Sequence, residues 1–210
     1  MKMGFKLPLA VAILAVAGVS GASVTALTVM PIADVLKNHE AVFGYSITGT
    51  ERNISKDHTH YAWVTFGVGD SVEFAYGNDL RGQYTLHVKA QLYSAKNMAF
   101  SIGAMNYTGD GMKADTFAVG RYDLPCGVRL HFGYEHTDTH RGIFGADFAC
   151  LGTCTGMVEW QTGPHAVGWA GLSIPIKQLP GLNLQIGASV PADRKDGYQH
   201  TAMLWYGTKF

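Results

Sequence analysis

The chain has 210 residues, and its 16 Lys and Arg balance 16 Asp and Glu, so no basic stripe points to nucleic acid. Charged residues make up only 15%, while aromatics reach 11% and glycine numbers 26; an ordinary soluble domain carries roughly 25% charge. A chain with so little charge must place apolar surface somewhere other than water.

The first stretch, "MKMGFKLPLAVAILAVAGVSGASVTA", has Lys2 and Lys6, an apolar run from Leu7 to Val19, and then small residues. That order predicts a signal peptide over 1–26, cut after Ala26 with Val24 and Ala26 in the small positions. Losing Lys2 and Lys6 takes the formal charge from zero to −2. No later apolar stretch has the eighteen or so residues of a membrane helix, so membrane residence must use strands. Residues 27–39 follow, with a short helical turn over 31–38 as one option, and read as a periplasmic lead-in segment. Residues 40–210 read as one barrel domain.

From Glu40 the hydrophobic period is two and stays two. Strand-like runs bounded by Gly, Asp, Asn and Pro fall at 40–48, 59–67, 70–77, 83–93, 96–106, 114–123, 126–136, 142–151, 154–162, 165–175, 181–190 and 197–209. In "QYTLHVKAQLY", Tyr84, Leu86, Val88, Ala90 and Leu92 share one face, and Thr85, His87, Lys89, Gln91 and Tyr93 the other. "GVRLHFGYEH" and "GLNLQIGASV" alternate as cleanly, whereas 59–67 and 165–175 leave their phase open. Up to the ninth run, longer polar loops alternate with tight turns, as a membrane barrel with a periplasmic N-terminus requires. The order reverses at "TGP" and "KQLPG". The expected fold is therefore all-β: an antiparallel, up-and-down transmembrane barrel of about twelve strands, in which every backbone polar group finds a partner within the sheet.

The chain stops on "TAMLWYGTKF", where alternate residues are mostly apolar and the last is Phe210. This ending resembles the C-terminal strand by which the barrel assembly machinery recognises Gram-negative outer-membrane proteins. The resemblance implies outer-membrane lipid and that machinery as partners. "MPIADVLKNHEAVFGYSI" and "TFGVGDSVEF" also resemble the start of small barrels of the YjbH type, which implies a link with exopolysaccharide export. Tyr45, Tyr61, Tyr134, Trp160, Tyr198 and Tyr206 suit interfacial girdles.

With the apolar face outward, the lumen collects Glu73, His87, Lys89, Arg129, His131, Glu135, Asp147 and Glu159, with Gln91, Gln161, Asn183, Gln185 and Gln199. Glu73 lies on the strand next to Lys89, and Arg129 next to Asp147. Enclosed charges are costly unless paired, so a salt-bridge network that fills the bore is expected ahead of a selective solute path. Twelve strands leave a lumen between the filled eight-stranded and the open sixteen-stranded cases. Leu130→Arg and Leu184→Arg should be costly in lipid, and Gln185→Arg on the lumen side much milder.

Histidines in "DHTH" (His58, His60) and "EHTDTHR" (His136, His140) read as loop residues without a third metal ligand. "CLGTC" places Cys150 and Cys154 across a tight turn, where they could pair; Cys126 lies in another turn at the same end. "NIS" at 53–55 matches a glycosylation sequon. The sequence assigns no catalytic residue, cofactor or metal, and leaves the oligomeric state open. His200, on the outward face of the last strand, has no serine near it. The functional expectation is a structural or narrow-channel role, in envelope polysaccharide or small-solute passage. Two alternatives stay open: a soluble secreted β-sandwich or barrel that binds a ligand, and a membrane-embedded hydrolase.

Overall fold

The computed structural model describes residues 26–50, 58–107 and 114–210. The expected signal peptide, the "NIS" sequon and most of the first and fifth loops lie outside the described residues. Twelve strands form the wall: β1 (Glu40–Thr50), β2 (His58–Val68), β3 (Val72–Asn78), β4 (Tyr84–Ala95), β5 (Met98–Tyr107), β6 (Asp115–Asp123), β7 (Arg129–His136), β8 (His140–Cys150), β9 (Cys154–Gln161), β10 (Val167–Pro175), β11 (Leu182–Pro191) and β12 (Gln199–Lys209). Each pairs antiparallel with its sequence neighbour, and β1 closes on β12 from Glu40↔Lys209 to Thr50↔Gln199, so the barrel has no free edge. The strands match the twelve expected runs to within about three residues, because period-two patterning is strict wherever one face is apolar.

Outward positions carry Phe43, Phe66, Phe74, Leu86, Phe132 and Leu204, all more than a third exposed. Inward positions carry Glu73, Lys89, His131, Glu135, Asp147, Glu159 and Gln185, all buried. A wall that is apolar outside and polar inside is the inverse of a soluble sandwich. Two expected faces need correction. Tyr61 points into the bore, where its hydroxyl meets Thr85 Oγ1 and His87 Nε2 and its ring stacks on Trp63. Register shifts interrupt the β4–β5 pairing at Gln91/Tyr93, so Leu92 and Tyr93 are both exposed at the strand's end; an extra residue re-aims the chain by half a period.

The end that holds Glu40 and Phe210 is here the terminal end, and the other the far end. Phe210 donates its N–H to His39 O at 2.9 Å and sets its ring edge-on to the His39 ring. Cys126, Cys150 and Cys154 all belong to turns or strand ends at the terminal end.

The main departure from expectation is the segment before β1. Residues 26–38 run inside the barrel rather than below it. Leu27, Met30, Ile32 and Ala33 are buried in one cluster with Ala75, Ala99, Phe117, Val119, Ile143 and Met157 from the wall. Leu36 packs with Val42, Trp63, Met203 and Trp205 nearer the terminal end. Apolar surface on "LTVMPIADVL" has no reason to remain in water when an enclosed, partly apolar bore is available. No helical turn forms over 31–38.

Candidate functional site

An extended segment in a bore has backbone groups that no ladder satisfies, and each left bare costs about 1–3 kcal/mol. The inward side chains supply the partners in three tiers. Near the far end, Glu159 accepts the Val29 N–H at 2.9 Å and the Met30 N–H at 3.0 Å, while Gln185 Nε2 donates to Leu27 O at 3.0 Å. In the middle, Lys89 Nζ donates to Ile32 O at 3.1 Å, and Gln91 Nε2 and Ser101 Oγ both donate to Ala33 O. Towards the terminal end, Glu73 Oε2 accepts the Leu36 N–H at 2.9 Å and its Oε1 lies 2.9 Å from Lys89 Nζ.

The segment contributes one carboxylate. Asp34 pairs with Arg121 of β6 and, at 3.3 Å, with Arg129 Nη1 of β7. Arg129 Nε reaches Asp147 Oδ1 at 2.8 Å, and His131 Nε2 lies 2.7 Å from Asp147 Oδ2. Glycines shape the bed. A Cβ on Gly145, Gly171 or Gly187 would sit within 2.7 Å of Leu27 or Thr28, and one on Gly67 within 2.1 Å of Lys37 O.

On either side of the segment the bore is open. A cavity of about 620 Å³ at the terminal end is lined by Leu36, Arg129, Asp147, Lys177, Trp205 and Lys209, among others. One of about 710 Å³ at the far end is lined by Thr48, Tyr61, Trp63, Glu135, Arg141, Gln161 and Trp169, among others.

All eight lumen residues singled out from the sequence therefore face the bore, but they do not form one network. Glu73 and Lys89 form one pair, and Arg129, His131 and Asp147 a second group. His87 joins Tyr61 and Thr85, Glu159 holds the segment, and Glu135 lines the far cavity. The sequence reading missed Asp34, Arg121, Ser101 and the structural weight of Gln185. Gln185 is buried and bonded to Leu27 O, so Gln185→Arg is not the mild change expected of a lumen residue.

His58 and His60 lie on β2 rather than in a loop, and His136 and His140 at the ends of β7 and β8. Each has a ring neighbour: His58 with His200, His60 with Tyr45, His136 with His140. No group of three or more metal-ligating residues occurs among the described residues. Cys150 and Cys154 are register partners, and they and Cys126 are free thiols. Cys150 and Cys154, which could pair, stand opposite one another in the hairpin without a bridge.

No protein-family model and no curated protein matches the sequence, so the resemblance to YjbH-type barrels gains no support from either. Among solved structures, the chain is similar to the KdgM porin, with a TM-score of 0.59 at 8% identity over 79% of this chain and 98% of that one. It also aligns with the translocator domain of the autotransporter NalP from Neisseria meningitidis, with a TM-score of 0.45 at 14% identity over 81% of this chain and 88% of that one. The chain has the closed, twelve-stranded barrel fold of the porin.

Proposed function

We propose that the protein is an outer-membrane barrel whose bore is stoppered by its own residues 26–38. Its role is structural, or that of a narrow channel that passes small solutes when the segment is displaced. The observation that carries this reading is the set of backbone hydrogen bonds that hold Leu27–Leu36 across the bore between two cavities. The apolar outer wall supports residence in lipid, and the porin-like fold supports the barrel architecture. On this reading the terminal end faces the periplasm, a signal peptide is removed near Ala26 during export, and the Phe210 strand engages the barrel assembly machinery. A role in envelope polysaccharide rests on the YjbH-type resemblance alone, and the geometry favours the solute reading.

Two measurements test it. Membrane-extracted protein should migrate differently in SDS when boiled and unboiled. In a planar bilayer the wild type should be nearly silent, and Glu159→Ala combined with Gln185→Ala should show channel openings. A steadily conducting wild type would overturn the stopper. A variant that keeps the boiling-dependent shift and stays silent would favour the purely structural role.

A further inference from the structure

We propose that the far cavity is a binding site for a short neutral saccharide. The idea does not depend on whether the bore conducts, since the cavity lies on the far side of the segment and is open in the described state. Its volume, about 710 Å³, falls within the roughly 300–1,000 Å³ of small-molecule sites.

Two opposed walls give the cavity its chemistry. On β2 the ring of Tyr61 borders the cavity and stacks on the buried Trp63, with centroids 6.1 Å apart at 26°. Across the barrel, β7, β8 and β9 bring Glu135, Arg141 and Gln161 to the same cavity. Glu135 is 4% exposed and its Oε2 has no hydrogen-bond partner; the indole Nε1 of Trp63, 6% exposed, has none either. Gln161 uses no side-chain atom in a hydrogen bond among the described residues, and Arg141 uses its Nε on Thr139 Oγ1 at 3.4 Å.

Buried polar atoms left without partners cost stability, and at the rim of this cavity a ligand can supply the missing partners. The ligand must both accept and donate: Trp63 and Arg141 offer only donors, Glu135 offers an acceptor, and Gln161 offers both. A vicinal diol meets a carboxylate and a guanidinium in that way, and the apolar face of a pyranose covers an aromatic plane. Charge excludes the nearest rivals. An acidic saccharide would meet Glu135 and Asp196 against Arg141, the one Lys or Arg among the described residues that line the cavity. A polyamine would leave the Trp63 and Arg141 donors unanswered.

The test is titration of full-length mature protein in detergent with maltotriose, cellotriose and chitotriose, read by tryptophan emission. At least one should give a saturable change with half-saturation near about 1 mM or below. Gln161→Ala and Glu135→Gln should each raise that concentration by about tenfold, while Lys177→Ala, in the other cavity, should leave it unchanged. The proposal is overturned if none of the three saturates by about 50 mM, far above the millimolar range of weak binding. It is overturned too if both far-cavity variants bind like wild type, or if trigalacturonate or spermidine binds more tightly. No current is measured in this titration, so its failure leaves the stopper reading untouched, and a conducting wild type leaves the saccharide site untouched.

Discussion

In the terminal half of the bore, the inward ionisable groups are engaged: Glu73 with Lys89 and the Leu36 N–H, Asp34 with Arg121 and Arg129, and Asp147 with Arg129 and His131. In the far half, Glu135, Arg141 and Gln161 stand on the same kind of wall around open space. The residue types do not differ between the halves, but the filling does. The segment descends from Leu27 to Leu36; below it the carboxylates and cations named above are paired, with Thr65 Oγ1, His131 Nδ1 and Trp205 Nε1 left without partners, whereas above it Glu135 Oε2 is unpartnered and Gln161 makes no side-chain hydrogen bond among the described residues. A charged lumen is thus a set of partners for whatever occupies it, and its balance can be judged only once the occupant is known.

The sharpest way to break this comparison is at the pair with the least access to water. Glu73→Ala removes the carboxylate 2.9 Å from Lys89 Nζ and the acceptor of the Leu36 N–H, with both side chains of the pair fully buried. Removing one member of a buried pair costs about 3–5 kcal/mol, to be read from urea unfolding in detergent micelles. Glu73→Leu together with Lys89→Met should recover much of that loss. A single variant as stable as wild type would mean that the terminal half is no more engaged than the far half.

Leu130→Arg tests the other side of the wall. Leu130 is outward on β7, one residue in from the strand's terminal end, and 37% exposed, so on the membrane reading a guanidinium there meets lipid towards one edge of the apolar band. The expected loss is about 1–3 kcal/mol in folding into bilayers, below the full midplane cost. If refolding into liposomes is unimpaired, the outer face does not meet lipid, and the contrast between bore halves would belong to a soluble barrel.

Gln185→Ala comes next. Its carboxamide is the one side-chain donor to Leu27 O among the described residues, and its loss takes that hydrogen bond from a buried carbonyl, at about 1–3 kcal/mol. The same substitution should raise the frequency of single-channel openings, since it loosens the segment where it enters the far cavity. Destabilisation without openings would make the segment a structural filler rather than a stopper.

The wall was legible because an apolar outer face and a polar inner face impose a strict period of two, and a slip of one residue would turn every outward Phe and Leu into the bore. "GVRLHFGYEH" and "GLNLQIGASV" carried that signal on their own. The bore was not legible, because what pairs with Glu159 or Gln185 is the backbone of a segment about 130 to 158 residues away in sequence, and backbone groups leave no side-chain pattern to read. One trace was present: Gly145, Gly171 and Gly187 stand at inward positions where a side chain would strike Leu27 or Thr28. Small inward residues on three of four consecutive strands mark something that lies close against the wall. The apolar run "LTVMPIADVL" was the other half of that clue, since a lead-in meant for water would not be built from such residues.

The smallest effect is expected from Gln161→Ala in the far half. The Gln161 side chain is half-buried, makes no hydrogen bond among the described residues, and borders open volume, so its removal creates neither a void in packed core nor an orphaned partner. Stability should change by no more than about 0.5 kcal/mol, and the boiling-dependent shift should be retained. That near-silence gives the variant its value. A residue that can be cut back without cost to the fold, on the same wall as a carboxylate oxygen that lacks a partner, is free to serve a solute instead. If Gln161→Ala destabilised the barrel as much as Gln185→Ala, the far wall would be bound into the same support as the segment, and the two halves of the bore would no longer be distinct.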